Sequence, residues 1–156
     1  MRELTVVKFF PLEKESLFGY WIEPSLLERW AYPDGMNLKV PVMEPKANGK
    51  YRFEHRGPDG LYICNGHFKM LIPNEKIVQV DTVKNPEGFV IFKNLECTTE
   101  FRQVAGGTEV TITQSGFPDE ASMHECEKSW YQSLDKLQQL FHRHIGRERQ
   151  SESRTY

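Results

Sequence analysis

The segment that decides the fold runs from residue 95 to residue 146, opening LECTTEFRQVAGGTEVTIT (95–113) and closing SMHECEKSWYQSLDKLQQLFHRHIG (122–146). In its first half Leu95, Cys97, Thr99 and Phe101 alternate with Glu96, Thr98, Glu100 and Arg102, and Gly106-Gly107 joins that run to Thr108–Thr113. A period of two interrupted by a glycine pair predicts a β-hairpin. In the second half Met123, Cys126, Trp130, Leu134, Leu137, Phe141 and Ile145 recur at steps of three or four, which predicts one long amphipathic helix ending near Gly146. Asp119 or Ser122 can cap it, Ser122 having Glu125 three residues on. The apolar stripe of such a helix has to be buried, and the hairpin's apolar face is the partner at hand.

Toward the N-terminus the strand period recurs. Leu4–Phe10 is β-branched and aromatic and is closed by Pro11, which cannot donate to a ladder. Helical spacing follows in Leu17, Phe18 and Trp21, then in Leu26, Leu27 and Trp30 behind Pro24, predicting two short helices. After the Pro33-Asp34-Gly35 turn, Met36, Leu38, Val40 and Val42 alternate with polar residues. Beyond Asn48-Gly49, Tyr51 and Phe53 do the same as far as about Arg56. Pro58-Asp59-Gly60 leads into Leu61–Ile72, where Tyr62, Cys64, Phe68 and Met70 share one parity, Asn65, His67 and Lys69 the other, and Gly66 marks a bend. Lys76–Val83 reads as a shorter strand and Lys84–Asn94 as a loop with weak strand content at Phe89–Phe92. Arg147–Tyr156 is polar and aperiodic, so a frayed or disordered tail is expected there.

With 156 residues, 38% apolar and 27% charged, the composition is that of one globular domain, here placed at residues 1–146, with a polar tail over 147–156. A formal net charge of -2 with interspersed signs gives no field to attract nucleic acid or an anionic membrane. Cys64, Cys97 and Cys126 are odd in number and widely spaced, which speaks against a disulfide framework or a zinc site and for reduced thiols. No apolar run is long enough to span a bilayer, and Met1-Arg2-Glu3-Leu4 lacks a signal sequence's apolar core, so a cytoplasmic location is expected.

Strand, short helices, about six further strands in hairpin succession and one long helix together predict an α+β domain of helix-grip type. In it a curved antiparallel sheet of six to seven strands wraps round the C-terminal helix. One helix does not fill a strongly curved sheet, so a cavity is expected between them, lined by Trp30, Tyr51, Phe53, Phe68, Phe101 and Trp130. A set of local features occurs in a characteristic order. They are the strand ending at Pro11, the Leu17-Phe18 helix, Leu27 and Trp30 before Pro33-Asp34-Gly35, and Gly49-Lys50-Tyr51. Asp59-Gly60, Gly66, Ile72-Pro73, Thr99-Glu100-Phe101, Gly107-Thr108-Glu109-Val110 and Trp130 with Leu134 and Leu137 follow. With them the chain resembles the SRPBCC superfamily of START and birch-pollen-allergen-like domains. Within it the chain is similar to the branch homologous to the C-terminal domain of the activator of the heat-shock protein 90 ATPase. Asn48 stands where a first hairpin glycine is common, and Ser129 where glycine often precedes the helix tryptophan; asparagine shares glycine's tolerance of the left-handed region.

The resemblance implies a hydrophobic ligand held between sheet and helix, as in most of the superfamily, or a chaperone-type protein partner, as in the named branch, and it allows a homodimer. From the residues alone, chemistry is sparse. His142 and His144, like His124 and Cys126, are two apart and diverge by roughly 200 degrees on a helix, so neither pair clamps a metal. His55 shares parity with Tyr51 and Phe53 and is the better pocket histidine, although solvent exposure is the commoner role for a histidine at a strand end; His67 shares parity with Asn65 and Lys69. Cys97 and Cys126 lie on inward stripes, where a thiol behaves as a small hydrophobe. Glu100 and Glu109 could face one another across the Gly106-Gly107 hairpin, but paired acids on a polar strand face are usually a solvated surface. Tyr51 and Tyr62 could orient a ligand through their hydroxyls.

The expected cavity-lining set is therefore Trp30, Tyr51, Phe53, His55, Tyr62, Phe68, Phe101, Trp130 and Leu134, with no catalytic residue, no cofactor and no metal ligand assigned. Three functions follow: a small-molecule binding protein, a protein-interaction domain, and a cyclase- or hydrolase-like enzyme that would have to use His55, Tyr51 and Tyr62.

Overall fold

The computed structural model describes residues 2–154, with side chains for residues 2–141. Its elements are β1 (Glu3–Phe10), α1 (Lys14–Ile22), α2 (Pro24–Leu27), β2 (Asn37–Met43), β3 (Lys50–Gly57), β4 (Gly60–Ile72), β5 (Lys76–Lys84), β6 (Val90–Val104), β7 (Gly107–Ser115) and α3 (Glu120–Arg154). The strands form one curved, unclosed antiparallel sheet of seven strands in the order β1-β7-β6-β5-β4-β3-β2. β5 is thus the central strand, and β1 and β2 are the two edges. The α+β helix-grip architecture expected from the element order is the one observed.

Local chemistry accounts for each turn of the chain. Asn48 takes φ 65° at the β2–β3 turn, the left-handed conformation expected of an asparagine in a glycine's place. Asp119, rather than Ser122, caps α3: its Oδ1 accepts from Ser122 N at 2.7 Å, which also holds its carboxyl below the usual range. On edge strand β2, Glu28 Oε2 accepts the Val40 N–H at 2.8 Å, while Pro41, which has no N–H to leave orphaned, lies in the bulge between Lys39 and Val42.

Four expectations change. β6 starts at Val90, because Phe92 and Val90 pair with Val83 and Lys84 across a tight turn in which Gly88 adopts φ 88°; the weak strand signal of Phe89–Phe92 belongs to a real strand. A bulge between Phe68 and Met70 reverses the parity of β4 beyond Phe68, so Met70 points to solvent and Leu71 packs on the core. Glu100 and Glu109 do not face one another: Glu109 lies opposite Arg102 and pairs with it at 2.9 Å, while Glu100 lies opposite Thr111. α3 also continues past Gly146 to Arg154. Arg, Glu and Gln propagate an existing helix at little cost even where no apolar stripe remains. Thr155 and Tyr156, the end of the expected tail, lie outside the described residues.

The core divides along α3. Leu134, Leu137 and Phe141 are buried, Phe141 meeting Phe10 and Tyr20 edge-on at 5.8 and 5.0 Å. The backbone of α3 comes close to β1, and that of α1 to β6 and β7. Met123, Cys126 and Trp130, earlier on the same stripe, are only partly buried.

On the central strands one cross-strand row is unusual. Tyr51, Gly66 and Asp81 are direct neighbours on β3, β4 and β5. The Tyr51 ring lies across Gly66, and its hydroxyl donates to Asp81 Oδ1 on the far side. A Cβ at Gly66 would come within 2.5 Å of both the ring and that carboxylate oxygen. Alanine in a strand normally exceeds glycine by about 0.5–1 kcal/mol. Gly66→Ala is expected instead to lower stability by about 2–3 kcal/mol in urea titration, and the same change in a Tyr51→Leu background to cost far less. Equal losses in both backgrounds would refute the close-approach reading.

Candidate ligand cavity

Between the sheet and the N-terminal half of α3 lies a space of about 330 Å³. Its floor is the inward rows of four adjacent strands: Phe53 and His55 of β3, Tyr62 and Cys64 of β4, Gln79, Asp81 and Val83 of β5, and Phe92, Leu95 and Cys97 of β6. Cys126, Ser129, Trp130 and Ser133 of α3 roof it, and Trp21, Leu27, Trp30, Tyr32 and Met36 close the side nearest α1 and α2. Tyr32, Met36, Tyr62, Phe92, Cys126 and Ser129 are partly exposed and form the mouth, whereas Trp21, Trp30, Leu95 and Cys97 are buried.

The aromatic walls are held in place by their polar ends. Trp130 Nε1 donates to Gln114 Oε1 at 2.9 Å, and Trp30 Nε1 donates to the Tyr20 carbonyl at 3.1 Å. Trp21 stacks obliquely on Trp30 at 4.6 Å, yet its own indole N–H has no acceptor among the described residues, an unmet donor in the cavity wall. His55 Nε2 lies 3.0 Å from the Ala31 carbonyl, which can only accept, so this nitrogen carries the proton. Burial lowers the His55 pKa, and the ring is neutral at physiological pH.

Asp81 sits on the central strand and lines the cavity. Burial pushes its carboxyl up to about 6, partly offset by donors from Tyr51 and Cys64. The Tyr51 hydroxyl is in turn held strongly in its protonated form by burial and by the neighbouring carboxylate. A register irregularity between Asp81 and Val83, opposite Asn94 at φ 54°, bends the sheet beside this residue. The three thiols are all shifted upward by burial, Cys126 to about 11, so none is a thiolate at neutral pH and none is activated as a nucleophile. Among the described residues no three His, Cys, Asp or Glu side chains converge to hold a metal ion.

The structure brings Trp30, Phe53, His55, Tyr62 and Trp130 together around the space. Tyr51, Phe68, Phe101 and Leu134, also expected there, lie in packed core off the cavity wall. Phe101 is covered edge-on by Phe18 and Trp21 at 5.3 and 5.1 Å, and Tyr51 lies over Phe68 at 4.9 Å, turned toward Asp81. Gln79, Asp81, Gln114 and Trp21 escaped the sequence reading. The available signal was the parity of Gln79 and Asp81 with Ile77 and Val83, but Val78 and Val80 make the other face of β5 equally apolar. Which face is inward is therefore not legible from that strand alone.

A model of the family described as activator of Hsp90 ATPase homolog 1-like protein matches residues 11–142. No curated protein matches the chain. Among solved structures, a protein from Chromobacterium violaceum is 22% identical, with TM-score 0.79 over 90% of this chain and 97% of its own. One from Nitrosomonas europaea is 14% identical, with TM-score 0.76 over 92% and 96%. The AHSA1 protein from Silicibacter pomeroyi is 17% identical, with TM-score 0.74 over 90% and 97%. At these identities the similarity is one of fold.

The raised pKa of Asp81 gives a stability test with a defined sign. The folded carboxyl binds its proton more tightly than the ordinary value of 3.8 would allow, at about 6. Its ionisation therefore opposes folding: the penalty is absent below about pH 4, grows through the interval and is complete above about pH 6. Asp81→Asn retains an acceptor for Tyr51 and is expected to stabilise the ligand-free protein by about 1–3 kcal/mol at neutral pH, a gain that disappears in urea titrations carried down to about pH 4. A gain independent of pH would refute the assignment.

Proposed function

The chain belongs to the family of activator of Hsp90 ATPase homolog 1-like proteins, and on that premise we propose that it is a small binding protein that holds a hydrophobic or amphipathic molecule between its sheet and its C-terminal helix. The observation that carries this reading is the unfilled, aromatic-walled space of about 330 Å³. Its size falls at the lower end of the range of about 300–1,000 Å³ usual for small-molecule sites. A few polar groups stand among its apolar surfaces, the neutral His55, Gln79, Asp81, Gln114 and the hydroxyls of Tyr62, Ser129 and Ser133 among them, the pattern of a site that encloses an apolar body and orients one polar end.

A partner-binding role, of the kind named in the family's description, finds support in Phe89 and Val90, 67% and 49% exposed at the tip of the β5–β6 hairpin beside the cavity mouth. The enzyme reading that relied on His55, Tyr51 and Tyr62 gains less, because Tyr51 is packed in the core off the cavity wall and His55 is committed to the Ala31 carbonyl.

Native mass spectrometry of freshly purified protein, set against a denatured spectrum, is expected to reveal a retained small molecule, and a hydrophobic dye is expected to enter the emptied cavity. Cys126→Trp, at a partly exposed roof position, should weaken dye uptake about tenfold or more while leaving the melting temperature within a few degrees. Protein that carries nothing and excludes dyes would overturn the cavity reading and move partner binding to first place.

A further inference from the structure

Among the described residues the wall of the cavity carries one formal charge: Asp81 lines it, and no lysine, arginine or glutamate does. Among the described residues no cation is salt-bridged to Asp81. Resting on the reading of this space as a ligand site, we propose that its ligand is a cation: a compact, largely apolar molecule with an ammonium group seated against the Asp81 carboxylate.

The groups that face Asp81 are the Tyr51 hydroxyl from β3, the Cys64 thiol from β4 and Cys97 on β6; His55 on β3, Tyr62 on β4, Cys126 on α3 and Tyr32 also line the cavity. Burial keeps Tyr51, His55 and the three thiols neutral near physiological pH, so none of them balances the charge. Tyr51 and Cys64 occupy part of the carboxylate's hydrogen-bonding capacity, which is about four lone-pair sites. The remainder is available to the cavity.

A carboxylate on the inward face of a central strand runs against strand preference and against the cost of burying an unpaired charge. Such a group is characteristically paired, neutralised or functional. Here its placement is specifically accommodated: Gly66 clears the space that lets Tyr51 reach it, at the expense of a side chain in mid-strand. The walls suit the same occupant. Phe53, Tyr62, Phe92 and Trp130 present aromatic rings, whose faces attract a desolvated ammonium. A fatty carboxylate or a phosphate would meet a like charge in a medium of low dielectric, where repulsion is strongest.

Calorimetric titration at about pH 7.5 with matched ammonium, alcohol and carboxylate forms of decyl, naphthylmethyl and indolylethyl compounds tests this. On the frame that fits, the ammonium form is expected to bind about tenfold or more tightly than the alcohol, and the carboxylate not at all. Asp81→Asn should abolish the preference, bringing the ammonium form's affinity to that of the matched alcohol. A second readout needs no variant: in the wild-type protein the preference should shrink as the pH falls from about 7.5 to about 5, through the ionisation of Asp81. Alcohols binding as tightly as ammonium forms on every frame would overturn the cation inference and leave the ligand site standing. Binding of none of the compounds would overturn both.

Discussion

One helix cannot cover seven strands. An α-helix with its side chains is about 10 Å across, whereas seven strands spaced about 4.8 Å apart make a sheet near 30 Å wide. The sheet answers by curving, with bulges in β2, β4 and β5–β6, and α3 comes down on the β1 side, where Leu134, Leu137 and Phe141 find a dry partner. α1 covers the ends of β6 and β7. What remains uncovered is the inward face of the central strands, bridged from above by Trp130 and the small side chains of Cys126, Ser129 and Ser133 in the N-terminal half of α3. The cavity is thus a consequence of helix width, sheet width and the side on which the helix settles, and its walls inherit the identity of whichever residues point inward from β3 to β6.

Those inward residues show two different priorities. On the α1 side Phe18, Trp21, Trp30 and Phe101 interlock edge-on and obliquely and leave no room. Beneath the cavity the strands place a polar line instead, Gln79 and Asp81, and give up a side chain at Gly66 to let the Tyr51 hydroxyl reach the carboxylate. An apolar pair in place of Tyr51 and Asp81 would make the more stable core, since buried charge is seldom worth its desolvation. The retained polarity lies where an occupant would meet it, and stability has been exchanged for a directional contact, a trade familiar from functional sites.

The fold was legible because its signals are periodic and redundant. Leu95–Phe101, Gly106-Gly107 and the stripe from Met123 to Ile145 each point to the same hairpin and helix, and Asn48 and Asp119 adopt the turn and cap geometries open to their side chains. Errors arose where one residue of slippage inverts a face. The bulge before Met70 does so on β4, and the true register of β6 against β7 sets Glu109 against Arg102 rather than Glu100. The site was half legible for a related reason. Large aromatic residues of inward parity mark the region, but parity does not distinguish a ring that borders a void from one covered by another ring, as Phe53 and Phe101 illustrate.

The amino-acid sequence by itself determined the element order, the antiparallel sheet, the single amphipathic helix and the family to which they correspond, because each rests on contacts local in sequence: turns, caps and side-chain period. Only the tertiary structure decided that Asp81 faces inward, that Tyr51 crosses Gly66 to meet it, and that Trp130 roofs a void while Leu134, one turn on, seals a core. These depend on how far a helix stands from each strand of a curved sheet. That distance is set by the packing of residues far apart in the chain, so no local pattern encodes it.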